Sequence, residues 1–355
     1  MSEKLVSDGD VIVREQRTLR RLTLNRPKAL NAITLDMAET MTAFLREWAE
    51  DPAVGAVLID GAGDRAFAAG GDIRALYDAA KFGSDLPEKF WAIEYKLDAL
   101  IARYPKPVIT IMDGLVMGGG VGLSAHAAHS VVTDRSVVAM PEVGIGFFPD
   151  VGVSFLLTRA HWQLGTFVAL TGERLSAQGA LISGLANSPV PSARLGELPS
   201  ALADCRSREE VRAALGKYEA SPSPGKIPKA LRWIMPCFSG NTIEEILEAL
   251  SMCSNEDAIA ARDIMRKASP TSLKVTLRNM REAAKFSRVE QSFQQDYRIA
   301  LACIDGHDFI EGIRATIVDK DRAPKWRPEK LAEVTPGIVD RHFQSAGALE
   351  LKFPD

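Results

Sequence analysis

Cysteine is scarce: the four present (Cys205, Cys237, Cys253 and Cys303) make no C-x-x-C and no dense framework. A disulfide scaffold is therefore excluded, and the usage suits a reducing compartment. Long apolar runs are missing too, and none reaches membrane-spanning length. The opening stretch MSEKLVSDGDVIVREQ has no apolar signal core and no Arg/Ser-rich transit character. The expected location is the cytoplasm, with no membrane partner. An excess of charge of one sign is lacking as well, since the formal net charge is -3 and no block of like charges occurs. A role with nucleic acid or a membrane surface thus lacks its usual electrostatic footprint, so positive charge for an anionic ligand must be local.

What remains is an ordinary globular composition over 355 residues, enough for one large domain or a core with an appendage. DVIVREQRTLRRLTLN reads as a hairpin. TLDMAETMTAFLREWAED follows as a helix, with Thr34 as N-cap and Met37, Met41, Phe44 or Leu45, and Trp48 at helical spacing. AVGAVLID reads as a buried strand, and AFAAGGDIRALY as a glycine turn opening a helix at Asp72. Residues 86–104 read as a longer helix with Phe90, Ile93, Leu97, Leu100 and Ile101 apolar. PVITIMDG is a strand, MGGGVGLSAHAA a glycine-led helix, and SVVTD and SVVAM short strands. DVGVSFLLTRAHW is expected to start a helix capped by Asp150. Strands and helices alternate to about residue 190, the pattern of an α/β domain. Beyond that, strand signals fade. EASPSPGKIPKA reads as a linker or irregular crossover, and residues 241–315 as largely helical.

Two glycine turns, Gly70-Gly71 and Gly118-Gly119-Gly120, each follow a strand and lead into a helix. The first turn of a helix leaves N–H groups unpaired, and glycine lets a ligand approach the backbone closely. Two such turns facing one point would hold a carbonyl oxygen that becomes an oxyanion; the plainer alternative is two tight turns in a compact sheet. Gly120 to Ala125 also matches G-x-G-x-x-A, with Asp134 ending the next strand, which leaves open a dinucleotide site and a nicotinamide-dependent oxidoreductase. The helix is short for that, and the Asp comes about 14 residues on where roughly 20 is expected. Ser124 sits within a helix and His126 replaces the last glycine of a nucleophile elbow, so a serine hydrolase is rejected. His126 and His129 have no third ligand nearby, and no metal is expected.

Two acids stand out. Glu142 in MPEV and Asp150 in GFFPD lie eight residues apart on either side of the wholly apolar VGIGFF. Burial disfavours a carboxylate's charge and raises its pKa, and a Glu moved from about 4.3 towards 6 or 7 is a stronger base. On spacing alone the plainer alternatives come first: a buried acid paired with an Arg, and for Asp150 an N-cap. Glu94 interrupts the apolar stripe of its helix, and its plain reading is a snorkelling or ion-paired boundary residue.

LNRPKALNAI, FAAGGDI, DGLVMGGGVGLS, MPEVGIGFFPDVG and TGERLSAQGALISGLA, in that order, resemble the crotonase (enoyl-CoA hydratase/isomerase) superfamily. The resemblance implies a spiral of ββα units, with residues 1–190 as the acyl-CoA-binding catalytic core and residues 191–355 as a mainly helical region. It implies an oxyanion hole from the N–H groups of Gly71 and Gly119 holding an acyl-CoA thioester carbonyl. CoA's adenine would lie between residues 28–32 and 68–72, with Lys28, Ala32 and Ala69 as contacts. Hydratases of the superfamily use two glutamates, one at the position of Gly122 and one at that of Glu142. Gly122 has no side chain, so this sequence departs from their pattern. Asp150 stands where hydratases typically carry glycine.

The Glu142 and Asp150 pair resembles the 3-hydroxyisobutyryl-CoA hydrolase subfamily, as do SPTSLKVTLRNM and DYRIALACIDGHDFIEGIRATIVDKDRAPKWRP. That implies hydrolysis of a short 3-hydroxyacyl-CoA, 3-hydroxyisobutyryl-CoA of valine breakdown first. Glu142 and Asp150 would be catalytic, and Glu94 and Gly119 would contact substrate. No cofactor is implied beyond the CoA of the substrate, and homo-oligomers are left open. The alternatives are a hydratase or isomerase on another acyl-CoA, a non-catalytic acyl-CoA-binding member, and the oxidoreductase.

Overall fold

Residues 3–161 and 163–353 are described by the computed structural model. They fall into two compact units, each assembled from three separated stretches. The first takes the chain up to Gly71, residues 96–138 and residues 175–225; the second takes residues 72–95, 139–174 and those from Lys226 on.

In the first unit, β1 (Lys4–Ser7), β2 (Val11–Gln16) and β3 (Leu19–Leu24) form an antiparallel edge. The last two are the expected hairpin, turned through Arg17 at φ 53; β1 has no alternating apolar pattern and was not expected. Three strand pairs follow: β4 (Ala56–Gly61) with β5 (Ala66–Ala68), β6 (Val108–Met112) with β7 (Leu115–Met117), and β8 (His129–Val132) with β9 (Val137–Ala139). In every pair the first strand joins the large sheet, and the second joins a small sheet of order β5-β7-β9. β10 (Ser188–Pro189) completes the large sheet, whose order is β1-β2-β3-β4-β6-β8-β10. From β3 onward its pairings are parallel, which explains why β6 is buried at every residue rather than alternating. Leu58, Ile109, Ile111 and Val131 pack under the helices Leu198–Leu202 and Arg208–Gly216, through Leu198, Leu202, Val211 and Leu215.

Helix α1 (Leu35–Glu50) starts as read: Thr34 Oγ1 accepts from the Met37 amide at 3.2 Å, and Met37, Met41, Leu45 and Trp48 are buried. Of Phe44 and Leu45, it is Leu45 that faces inward. α2 (Ile73–Lys81) is capped by Asp72, which accepts from the Ala75 amide at 3.3 Å. α3 (Leu86–Ala102) buries Phe90, Trp91, Glu94, Tyr95, Leu97 and Ile101, while Ile93 and Leu100 are only half-buried. Phe90, Leu97 and Ile101 are thus buried as expected, while Trp91, Glu94 and Tyr95 widen the buried face beyond the expected stripe. α4 (Gly119–Ala125) follows β7. α5 (Val153–Leu157) has Gly152 at its N-cap position, so Asp150 is not its cap.

Past β10 every regular element among the described residues is a helix, in keeping with the fading strand signal. The expected linker is irregular only to Lys226, because Pro228 falls in the first turn of the helix Ile227–Cys237, where its missing N–H is no loss. No helix among the described residues is long and apolar enough to cross a membrane.

Candidate active site

In the first unit the glycine turns lie against each other. A Cβ built on Gly70 would stand 3.7 Å from the Gly119 amide nitrogen. Among the described residues, neither the Gly71 nor the Gly119 amide donates to a main-chain carbonyl. Both therefore keep the donor that an oxyanion needs. Gly120 allows the approach, since a Cβ there would lie 2.4 Å from the Ala68 carbonyl oxygen. The Ile33 amide donates to Gly70 O at 2.9 Å and the Ala69 amide to Leu30 O at 3.0 Å. Those bonds lace residues 28–33 to residues 68–71, with Lys28 exposed and Ala32 and Ala69 half-buried.

The rival motifs are spent on structure. Ser124 Oγ donates to Gly120 O at 2.7 Å within α4. Asp134 accepts from the Ser192 amide at 2.7 Å and from its hydroxyl at 2.9 Å, so it is not held out for a ribose. His129 opens β8, and burial followed by Arg208 and Arg212 lowers its pKa. Among the described residues no group of three His, Cys, Asp or Glu is placed to hold a metal.

In the second unit four carboxyl groups are buried together: Glu94, Glu142, Asp150 and Asp296. Glu142 opens a 3₁₀ turn, Glu142–Ile145, just after β9. Two glycines seat that turn. A Cβ on Gly146 would meet Asp308 O at 2.1 Å, and one on Gly312 would meet Ile145 O at 2.2 Å, so the loop and the helix Asp308–Ile313 touch main chain to main chain. The Ser269 amide donates to Val143 O at 3.2 Å from the other side. Phe147 stacks on Trp91 with centroids 5.4 Å apart and meets Phe309 at 4.9 Å. The aromatic residues of GFFPD thus build a buried apolar wall, and Asp150 follows it after a single proline.

The electrostatics follow from burial. Burial, then the charge of Asp150, raises Glu142 well above the ordinary glutamate value, and Glu142 Oε2 has no hydrogen-bond partner among the described residues. Burial pushes Asp150 up to about 7, even though a hydrogen bond from Tyr95 Oη at 2.6 Å lowers it. Burial and Asp150 likewise raise Glu94, whose Oε1 is unpartnered, and Asp296. No cation is among the causes acting on any of the four. The Arg-paired alternative for Glu142 is therefore wrong. So is the boundary reading of Glu94, which is 2% exposed.

Sequence reasoning missed three residues. Tyr95, beside Glu94, lies outside the apolar stripe read on this helix and is the donor to Asp150. Asp296 lies 144 positions from the Gly152 amide it accepts, and no local pattern links them. Asn31, left-handed at φ 55, donates from Nδ2 to Ala62 O and Ala66 O, which locks LNRPKALNAI onto β5. Its signal was available, because Asn is among the few residues that tolerate that conformation.

This is the fold of a class of acyl-CoA enzymes, and the chain belongs to the enoyl-CoA hydratase/isomerase family, whose profile matches residues 19–343. A relative from Xenopus laevis, named 3-hydroxyisobutyryl-CoA hydrolase, mitochondrial, is 41% identical over 99% of this chain and 93% of its own. A solved structure of a carnitinyl-CoA dehydratase from Mycobacterium thermoresistibile is 43% identical with a TM-score of 0.92, covering 98% of this chain and 99% of that one. One of an enoyl-CoA hydratase from Rhodobacter sphaeroides 2.4.1 is 37% identical with a TM-score of 0.91, covering 97% and 100%. The crotonase-like α/β fold expected from the motifs is the fold found.

Proposed function

We propose that this protein hydrolyses a short 3-hydroxyacyl-CoA, 3-hydroxyisobutyryl-CoA first, to the 3-hydroxy acid and free CoA. The observation that carries the reading is the pair Glu142 and Asp150, buried without a cation, in a sequence whose residue 122 is a glycine, which leaves the hydratase acid pair incomplete. Relatives at about this level of identity carry the hydrolase name over nearly the whole chain.

In this reading the amides of Gly71 and Gly119 are assigned to the thioester oxygen, where each such donor is worth about 3 kcal/mol as charge develops. Glu142 takes a proton from the attacking water, or itself attacks the carbonyl to give a mixed anhydride that water opens. The C–S bond breaks, and the thiolate leaves with a proton to become free CoA. Asp150, about half ionised near neutrality, holds the 3-hydroxyl or supplies that proton. Glu94 contacts the acyl group, and Lys28, Ala32 and Ala69 contact CoA. Water and carboxyl groups suffice, so the reading needs no cofactor.

A second reading, hydration of an enoyl-CoA or the reverse dehydration, draws on the names of the two solved structures, an enoyl-CoA hydratase and a carnitinyl-CoA dehydratase. The test is a panel of acyl-CoAs scored for free thiol. Release from 3-hydroxyisobutyryl-CoA ahead of simple acyl-CoAs is expected. Double-bond chemistry with no thiol would replace hydrolysis by hydration.

A further inference from the structure

The turn that carries Asp150 is strained. Val151, wholly buried, has φ 52, a left-handed conformation that β-branched residues avoid, and Gly152 follows at φ 69. The Val153 amide closes the turn on Asp150 O at 3.0 Å. A valine stays in that region only where its surroundings hold it there.

The hold comes from the helix Val289–Ile304. Its Asp296 accepts from the Gly152 amide through Oδ2 at 2.8 Å, and one turn earlier Ser292 Oγ meets Ser154 Oγ at 2.8 Å. The other oxygen of Asp296 accepts from Asn279 Nδ2 at 3.1 Å, and Asn279 Oδ1 in turn accepts from Gln295 Nε2 at 2.6 Å. Asp296 is 0% exposed and its donors are all neutral. A buried carboxyl is a costly way to fill space, so its retention calls for a job that an apolar side chain cannot do.

We propose that Asp296 is a positioning residue for Asp150: by gripping the Gly152 amide it holds the left-handed Val151–Gly152 turn, and with it the place of the Asp150 carboxyl. The Asn279–Gln295 pair keeps the Asp296 carboxyl aimed at that amide. The inference rests on the reading of Asp150 as catalytic, but the grip itself is independent of activity.

The test compares wild type, Asp296→Ala and Asp296→Asn. The asparagine oxygen still reaches Gly152, and its NH2 is accepted by Asn279 Oδ1 once the Asn279 and Gln295 amides both turn over; alanine makes neither bond. Hydrogen–deuterium exchange is followed in peptides spanning residues 148–154, and kcat and KM are read from thiol release. Asp296→Ala is expected to speed exchange there and to lower kcat by roughly 10- to 100-fold with KM within about twofold, the signature of a misplaced group rather than lost binding. Asp296→Asn is expected to keep exchange and kcat near wild type. If the alanine variant does not fold, Asp296→Ser, which is shorter but polar, takes its place. Unchanged exchange in the truncated variant, or an equal fall of kcat in both substitutions, overturns the proposal. Should wild type release no thiol from any 3-hydroxyacyl-CoA, the assigned activity fails, and the exchange pattern alone then decides whether Asp296 holds the turn.

Discussion

The Tyr95 hydroxyl donates to Asp150 Oδ2 at 2.6 Å, and both groups are buried. Tyr95 shares one face of α3 with Trp91, four residues earlier, which stacks on Phe147. The same helix therefore builds the apolar wall and supplies the polar contact that tempers it. Burial raises Asp150 and Tyr95 pulls it back, leaving about 7, while the charge of Asp150 pushes Glu94, Glu142 and Asp296 upward.

Tyr95→Phe removes the donor that favours the ionised form of Asp150. The Asp150 pKa then rises above its value of about 7. In a kcat–pH profile, the ionisation that Asp150→Asn abolishes should move to higher pH in Tyr95→Phe. A shift to lower pH, or none, refutes the role given to the phenol.

Glu142→Gln keeps the shape of the side chain and removes its basicity. Thiol release should fall by about 10²- to 10⁴-fold, the usual contribution of a general base. Acyl-CoA affinity by titration calorimetry should stay within about threefold, since uniform binding is untouched. Because Glu142 is raised well above the ordinary value, wild-type activity should climb with pH beyond the usual carboxylate range.

Glu94 binds its proton more tightly in the folded chain than in the unfolded one, because burial raises it. Its contribution to stability is intact below the ordinary glutamate pKa and is lost as pH rises towards the folded value. Glu94→Gln should thus stabilise the protein at pH 8, by on the order of 1 kcal/mol, and less at pH 5. Urea unfolding at the two pH values checks this; equal effects would mean Glu94 is not the group that titrates.

Gly120→Ala drives a Cβ to within 2.4 Å of the Ala68 carbonyl. The start of α4 must shift, at a cost of about 1–3 kcal/mol, and the Gly119 amide moves with it. kcat should fall by roughly tenfold or more, as for a weakened oxyanion donor. Gly216→Ala is the control: nothing lies within 4 Å of its Cβ, so it should raise stability by up to about 1 kcal/mol in thermal unfolding.

Much of this fold was legible. The hairpin, the Thr34 and Asp72 caps, the glycine turns and the strands β4, β6, β8 and β9 are each set by a few neighbouring residues, whereas the three-residue strands β5 and β7 were too short to show a period. Glu142 and Asp150 were visible as acids in an apolar stretch. Other features were read wrongly or missed, for reasons with one origin. Asp150 precedes a short helix and looked like its cap, but its carboxyl is claimed by Tyr95, 55 residues away. The buried face of α3 is wider than its apolar stripe, because Glu94 and Tyr95, polar by type, are also buried.

The sequence by itself determined which residues alternate, which turns need glycine and which acids lie among hydrocarbon. Those are local matters of sterics and hydrophobic periodicity, complete within one or two turns of chain. Tertiary structure decided that the acids meet each other and no cation, that Tyr95 tempers Asp150, and that Asp296 grips the turn behind it. Those relations join helices far apart in the chain, and packing alone determines which polar atoms are left facing one another once water is gone.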